Sequence, residues 1–394
     1  MLQILCSIGV AIGIISCGGD NSNTTNSSQT SSKIVDHESV VLAANSLSVT
    51  VAAGPGANPN IPYVSVTVCE PGTYNCKTIH NIQIDTGSSG LRIFASAVQS
   101  LNLGLPPPNI YECASFGSGV TWGVVKIADI RMASELASSM AIQVIDDSNN
   151  VSVPSVCSSG QPTNQTPAAM GANGLIGVST TLYDPGPYFN CIPNAANNCQ
   201  FLPPSSYQIQ NPIAAFAVNN NGLLIRLPQI STMGATTVTG AVIFGIDTQA
   251  NNASNGANFI PADSNGYFTT VFNNIAYLSF IDSGSNAIYF SAGNNSNELP
   301  ICVEGIFYCP TSTKFYSATM ALKNNATSKV NFSVAKPVDT NFAFNNLAGP
   351  TPATLGTQTF DWGLPFFFGR TVYVGISGKT SNAGTGPYFA YTDN

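Results

Sequence analysis

From residue 61 onward the chain is a succession of short runs in which apolar and polar residues alternate or β-branched residues cluster, each closed by Gly, Pro, Asn or Ser. Residues 63–69, 79–84, 120–132, 140–145, 223–227, 238–244, 267–272 and 371–376 are of this kind. A period of two puts successive side chains on opposite faces, so these runs predict β-strands with one or both faces buried. Helical spacing of apolar residues is scarce; the clearest stretch, residues 93–103, predicts a short helix. Many short strands and almost no helix make an all-β fold of barrel or sandwich type the expectation.

The front of the chain has a different pattern. Residues 4–16 form one apolar run, shorter than the roughly 20 residues a membrane-spanning helix needs but suited to the core of a signal peptide. It follows Met1-Leu2-Gln3, which carries no basic residue, and ends Ile14-Ile15-Ser16-Cys17-Gly18. Two apolar residues, a small residue and Cys resemble the processing site of bacterial lipoproteins, which implies a signal peptide over 1–16 and a lipid on Cys17. Residues 19–32 are an aperiodic Asn/Ser/Thr tract. Such a tract cannot bury enough apolar surface to fold, so 17–58 is expected to be a flexible tether between membrane and folded body. Gly18 stands where lipoproteins kept at the inner membrane commonly carry Asp, so the expected place is the outer membrane of a bacterial cell envelope.

Charge and cysteine usage narrow the chemistry. The net charge is −7, and Lys and Arg occur singly rather than in clusters. No cationic surface is available to neutralise phosphates, which excludes nucleic acid as a partner. Only His37 and His80 are present, too few for His-based zinc sites and poorly suited to Ser-His-Asp catalysis; His80 reads as a strand-face residue. Removing Cys6 and Cys17 with the signal leaves eight cysteines. The short intervals Cys69 to Cys76, Cys191 to Cys199 and Cys302 to Cys309 leave Cys113 and Cys157 as the fourth couple. Near-neighbour pairing predicts four disulfides made in an oxidising compartment. None of these pairs has the close spacing of a closed zinc site, so neither metal nor cofactor is expected.

One internal echo carries the candidate chemistry. Ile84-Asp85-Thr86-Gly87-Ser88-Ser89 returns as Ile281-Asp282-Ser283-Gly284-Ser285-Asn286, 197 residues later and about half a chain away. Each copy follows an apolar run and precedes another, which suggests two lobes on one plan, 59–228 and 229–394. An Asp at a strand end followed by a hydroxyl residue and Gly sits in a tight turn, where backbone N–H groups and hydroxyls bond its oxygens. If the lobes face one another the two carboxylates meet, share one proton and titrate as a unit. Such a pair holds a base for water and an acid for a carbonyl oxygen, without His, metal or cofactor.

The chain here resembles the pepsin-like aspartic peptidases. Asp85-Thr86-Gly87-Ser88 is similar to their first catalytic loop, and Phe116-Gly117-Ser118-Gly119 to their flap turn. Gly174-Leu175-Ile176-Gly177 resembles the strand bracing that loop, and Gly240 to Gly245 the strand entering the second lobe. Asp282-Ser283-Gly284-Ser285 and Trp362-Gly363 with residues 366–370 complete the series in order. More narrowly, the Cys69/Cys76 hairpin leading into Asp85 to Arg92 resembles a family of bacterial lipoproteins catalogued as domain of unknown function 3443. The resemblance implies a bilobal all-β fold with a cleft between the lobes and a monomeric aspartic endopeptidase acting on a peptide or protein. Asp85 and Asp282 would be its catalytic pair, Ser88 and Ser285 would bond their outer oxygens, and Thr86 and Ser283 would lock the loops together. Two departures stand out. Phe116 and Arg92 replace the flap Tyr and its Trp partner, with Trp122 a candidate substitute, and Asp361 puts a charge on the bracing strand where an apolar residue is expected. The altered flap keeps a second reading open, a catalytically silent lipoprotein that holds a peptide or protein in the same cleft. A third is a structural envelope component without a ligand.

Overall fold

The computed structural model describes residues 42–106, 109–148, 153–191, 199–203, 207–338 and 340–394. The expected signal peptide 1–16, the lipidation residue Cys17 and most of the expected tether lie outside the described residues. The tether expectation is corrected at its far end. Ser46–Val51 is a strand, paired along its length with Val238–Phe244 and at its end with Pro62–Cys69, with Val49 and Val51 fully buried. Its alternation, Leu47, Val49, Val51, is the strand period in a stretch only six residues long.

The chain is mostly β, as its alternation requires. Among the described residues fifteen strands join in one sheet and seven in a second. Part of the large sheet closes on itself. Its order runs Gly119–Met132, Glu135–Ile145, Ser89–Phe94, Gly174–Val178, Cys76–Asp85 and Pro62–Cys69, and the last strand pairs back onto the first through Thr67–Cys69 and Asp129–Arg131. Closure removes open edges and leaves an interior filled by Val66, Ile82, Ile84, Leu91, Ile93, Ile130, Ile142 and Ile176. The second sheet is filled by aromatic rings, with Phe272, Phe290, Phe332, Phe360 and Trp362 in mutual edge, tilted and stacked contacts. Among the described residues no helix is long and apolar enough to cross a membrane.

The helix expected over 93–103 shrinks to one turn, Ala95–Val98. Ile93 and Phe94 instead end the strand Ser89–Phe94, paired with Val144 and Ile145 and almost wholly buried. Burying two large side chains in a sheet outweighs a weak local helical preference. All four disulfides pair as the spacing predicts: Cys69–Cys76, Cys113–Cys157, Cys191–Cys199 and Cys302–Cys309. Two of them, Cys69–Cys76 and Cys191–Cys199, join cysteines directly opposite each other on paired strands.

The sequence echo is also an echo in topology. Gly174–Val178 lies between Cys76–Asp85, to which it is parallel, and Ser89–Phe94, to which it is antiparallel. Thr359–Trp362 lies in the same way between Ile275–Ile281 and Ile288–Tyr289. Register agrees residue by residue: Ile84 faces Ile176 as Ile281 faces Trp362, and Gln83 faces Leu175 as Phe280 faces Asp361. Each Asp of the echo thus leaves a strand braced by a parallel neighbour, and the chain returns antiparallel along that neighbour's other edge.

Candidate active site

The two echo loops meet. Thr86 Oγ1 donates to Ile281 O at 2.8 Å and accepts from the Ser283 N–H at 2.8 Å. Ser283 Oγ returns the pattern, donating to Ile84 O at 2.8 Å and accepting from the Thr86 N–H at 3.1 Å. Thr86 is 1% exposed and Ser283 is fully buried, so these four bonds lie out of competition with water. Gln83 adds a crossing bond from Nε2 to Gly284 O at 2.8 Å.

This locking puts each carboxylate against the other loop. A Cβ on Gly87 would lie 2.7 Å from Asp282 Cγ, and one on Gly284 would lie 2.5 Å from Asp85 Oδ1. Glycine is required at both places by this approach, since both lie outside the left-handed region. Within its own loop each Asp is held alike. Asp85 Oδ1 accepts from the Gly87 N–H at 2.7 Å and Oδ2 from the Ser88 hydroxyl. Asp282 Oδ1 accepts from the Gly284 N–H at 2.7 Å and Oδ2 from Ser285 Oγ at 2.8 Å. Asp85 is buried and Asp282 half-buried, with Gly87 exposed beside them as the opening to solvent. Burial, and then the charge of Asp85 within hydrogen-bond reach, hold the Asp282 carboxyl well above the usual carboxylate range; Asp361 adds to the rise and the Ser285 bond opposes it. One member of such a pair carries a proton while the other is free to accept one.

The Phe116-Gly117 turn joins the strands Ile110–Phe116 and Gly119–Met132, and Gly117 reaches toward Pro352 of the second half. Phe116 carries no hydroxyl, and the Arg92 guanidinium lies over its ring at 5.5 Å from the centroid. Trp122 is not a flap partner but core, stacked on Tyr111 at 5.3 Å beside the Cys113–Cys157 bond. His80 sits exposed on its strand and meets Ser65 Oγ at 2.8 Å. Among the described residues no group of three or more His, Cys, Asp or Glu side chains forms a metal-binding cluster.

The family model described as "Protein of unknown function (DUF3443)" matches residues 41–391. The chain belongs to the DUF3443 family. No curated protein matches it.

Two features of this DUF3443 chain are only partly legible in its sequence, which marks Arg92 and Asp361 as departures but not what surrounds them. Arg92, fully buried, donates from Nη2 to Glu112 Oε1 and to Asp184 Oδ2, each at 2.6 Å, and from Nη1 to Ser89 O at 3.0 Å. It thus ties the loop after Asp85, the strand Ile110–Phe116 and the segment after Gly174–Val178 into one buried network. Burial pushes the Glu112 carboxyl up to about 8 against the pull of Arg92. With only 8% of residues charged, a Glu inside the strand Ile110–Phe116 was the available signal. The second feature is Asp361, whose two oxygens are buried without a hydrogen-bond partner. Burial, above all, holds it well above the usual carboxylate range.

Proposed function

We propose that this chain is a pepsin-like aspartic endopeptidase, bilobal with lobes near 59–228 and 229–394, in which Asp85 and Asp282 activate water against a peptide carbonyl. One observation carries the reading: two loops of matching sequence and topology interlock so that Gly87 abuts Asp282, Gly284 abuts Asp85, and each carboxylate is held by its own loop. In this reading a water sits between the carboxyls. The ionised member takes its proton while the protonated member donates to the substrate carbonyl oxygen, giving a tetrahedral diol. The diol collapses as its proton passes through the pair to the departing amine. The two N–H groups and the Ser88 and Ser285 hydroxyls hold the carboxylates in place, so little reorganisation accompanies the reaction. The substrate lies under the Phe116-Gly117 turn, and the body is held at a bacterial outer membrane by a lipid on Cys17.

The flap supports a second reading. Phe116 rests on a buried Arg92 and offers no hydroxyl toward a substrate, which suits a lipoprotein that holds a peptide without cutting it. A peptide with a hydroxyl-bearing tetrahedral carbon in place of the scissile carbonyl separates the two. A peptidase binds it far more tightly than the parent peptide, and loses that preference in Asp85→Asn and Asp282→Asn. A binder holds both peptides alike, and the two substitutions leave the ratio unchanged.

A further inference from the structure

Asp361 stands at an unusual place. In the first half the corresponding position of the bracing strand is Leu175, which faces Gln83 on one side and Arg92 on the other. In the second half Asp361 faces Phe280 and Tyr289. The Leu shows that the strand itself has no need of a carboxyl there. Asp361 is fully buried, neither oxygen has a formed hydrogen bond, and no ion pair of the described residues includes it. The titratable groups that act on it or feel it are Asp85, Asp282 and Tyr289, all of them acids. A buried carboxylate without a cation is strongly disfavoured, so the group is a neutral acid with one O–H to place. The strand carrying Asp361 runs on into Gly363, which lies against Ser285 O, and Leu364, whose N–H donates to Ser285 O at 2.7 Å, so the neighbouring hydroxyl is that of Ser285, whose own proton points to Asp282 Oδ2 at 2.8 Å.

The geometry points to Asp361 as a positioning residue for Asp282: a neutral carboxyl that donates to Ser285 Oγ and so commits the Ser285 proton to Asp282 Oδ2. Ionised, Asp361 would compete for that proton and repel the pair. Neutral, it removes the competitor and polarises the hydroxyl toward Asp282. Asp85 has the matching Ser88 but no carboxyl behind it, so the device makes the pair unequal. The inference rests on the peptidase reading only for its purpose, since Asp361 is buried beside the Ser285 loop whether or not peptides are cleaved.

The test is a carboxyl titration of the full chain labelled with carbon-13 at the Asp side chains, each resonance assigned by its loss in the matching Asp→Asn variant. Asp361 should give the signal of a neutral acid at pH 7. Asp361→Asn keeps an N–H donor for Ser285 and should leave the Asp282 midpoint within about 0.3 pH units of wild type, whereas Asp361→Leu should raise it by roughly 0.5–1 unit. An ionised Asp361 at pH 7, or equal displacement by the Asn and Leu variants, overturns the inference. If Asp361→Leu does not fold, wild type and Asp361→Asn still decide: an Asn midpoint displaced by more than about half a unit is a refutation. No arm uses hydrolysis. A silent peptide assay beside the expected titration removes the peptidase reading and keeps the Asp361 chain, and a cleaving protein with ionised Asp361 does the reverse.

Discussion

Arg92 is the residue whose loss the fold should feel most. Arg92→Met keeps much of the side chain's length and apolar stem but removes two 2.6 Å charge-assisted bonds, to Glu112 and Asp184, and one to Ser89 O. The larger effect is what remains, two carboxyls in a site where Glu112 and Arg92 are fully buried. Removing one partner of a buried ion pair costs about 3–5 kcal/mol, a large part of the roughly 5–15 kcal/mol that holds a typical domain. The deficit should depend on pH, and the sign follows from proton binding. In wild type the Glu112 carboxyl is raised to about 8, so between the ordinary carboxylate range and that value the folded state holds a proton that the unfolded state has lost. Stability contributed by this group is therefore full at acid pH and falls as pH rises toward 8. Without the guanidinium Glu112 keeps its proton above pH 8 as well, so the variant's deficit should be level at acid pH, where both proteins hold that proton, and widen as wild type gives it up near and above pH 8, by up to about 1.4 kcal/mol per pH unit. Urea unfolding with the disulfides intact, run at pH 5 and pH 9, measures both terms. A deficit below about 1 kcal/mol at both values, or one that shrinks as pH rises, would refute the reasoning.

Thr86→Val removes a buried donor to Ile281 O and a buried acceptor for the Ser283 N–H. It should cost about 2–4 kcal/mol in the same urea assay, with Ser283→Ala similar and the double variant well short of the sum. Cys17→Ser should abolish fatty-acid labelling of the protein in bacteria and release it from the membrane fraction; an unlabelled wild type would contradict the anchor. Phe116→Tyr places a hydroxyl on the ring above Arg92, and peptide turnover should change while the melting temperature moves by no more than a few degrees; unchanged turnover would separate the flap hydroxyl from the rate.

The strands were legible because the period-two pattern and the turn residues between runs are local signals. The site was legible because a repeated Asp-hydroxyl-Gly-Ser string at half-chain distance is rare enough to stand out. Three of the disulfides followed from spacing that leaves short loops little choice of partner, and Cys113–Cys157 from being the couple left over. What the sequence hid is non-local. Ile93 and Phe94 look helical until the sheet that buries them is known. Ser46–Val51 is too short to announce itself without its partner Val238–Phe244. Arg92 stands out as a departure, but its partners are hidden until Glu112 and Asp184, from distant segments, converge on it. Asp361 looked like an intrusion in an apolar strand, and the topology of the repeat is what sets it behind Ser285.

The most direct test of the central claim is a mixed peptide library incubated with the purified protein from about pH 3 to 7, with products read by mass spectrometry. The proposal predicts internal cleavage by wild type, strongest at acid pH where the carboxyl pair retains one proton, and none by Asp85→Asn or Asp282→Asn. Absence of cleavage at every pH, or cleavage that survives either substitution, would contradict it.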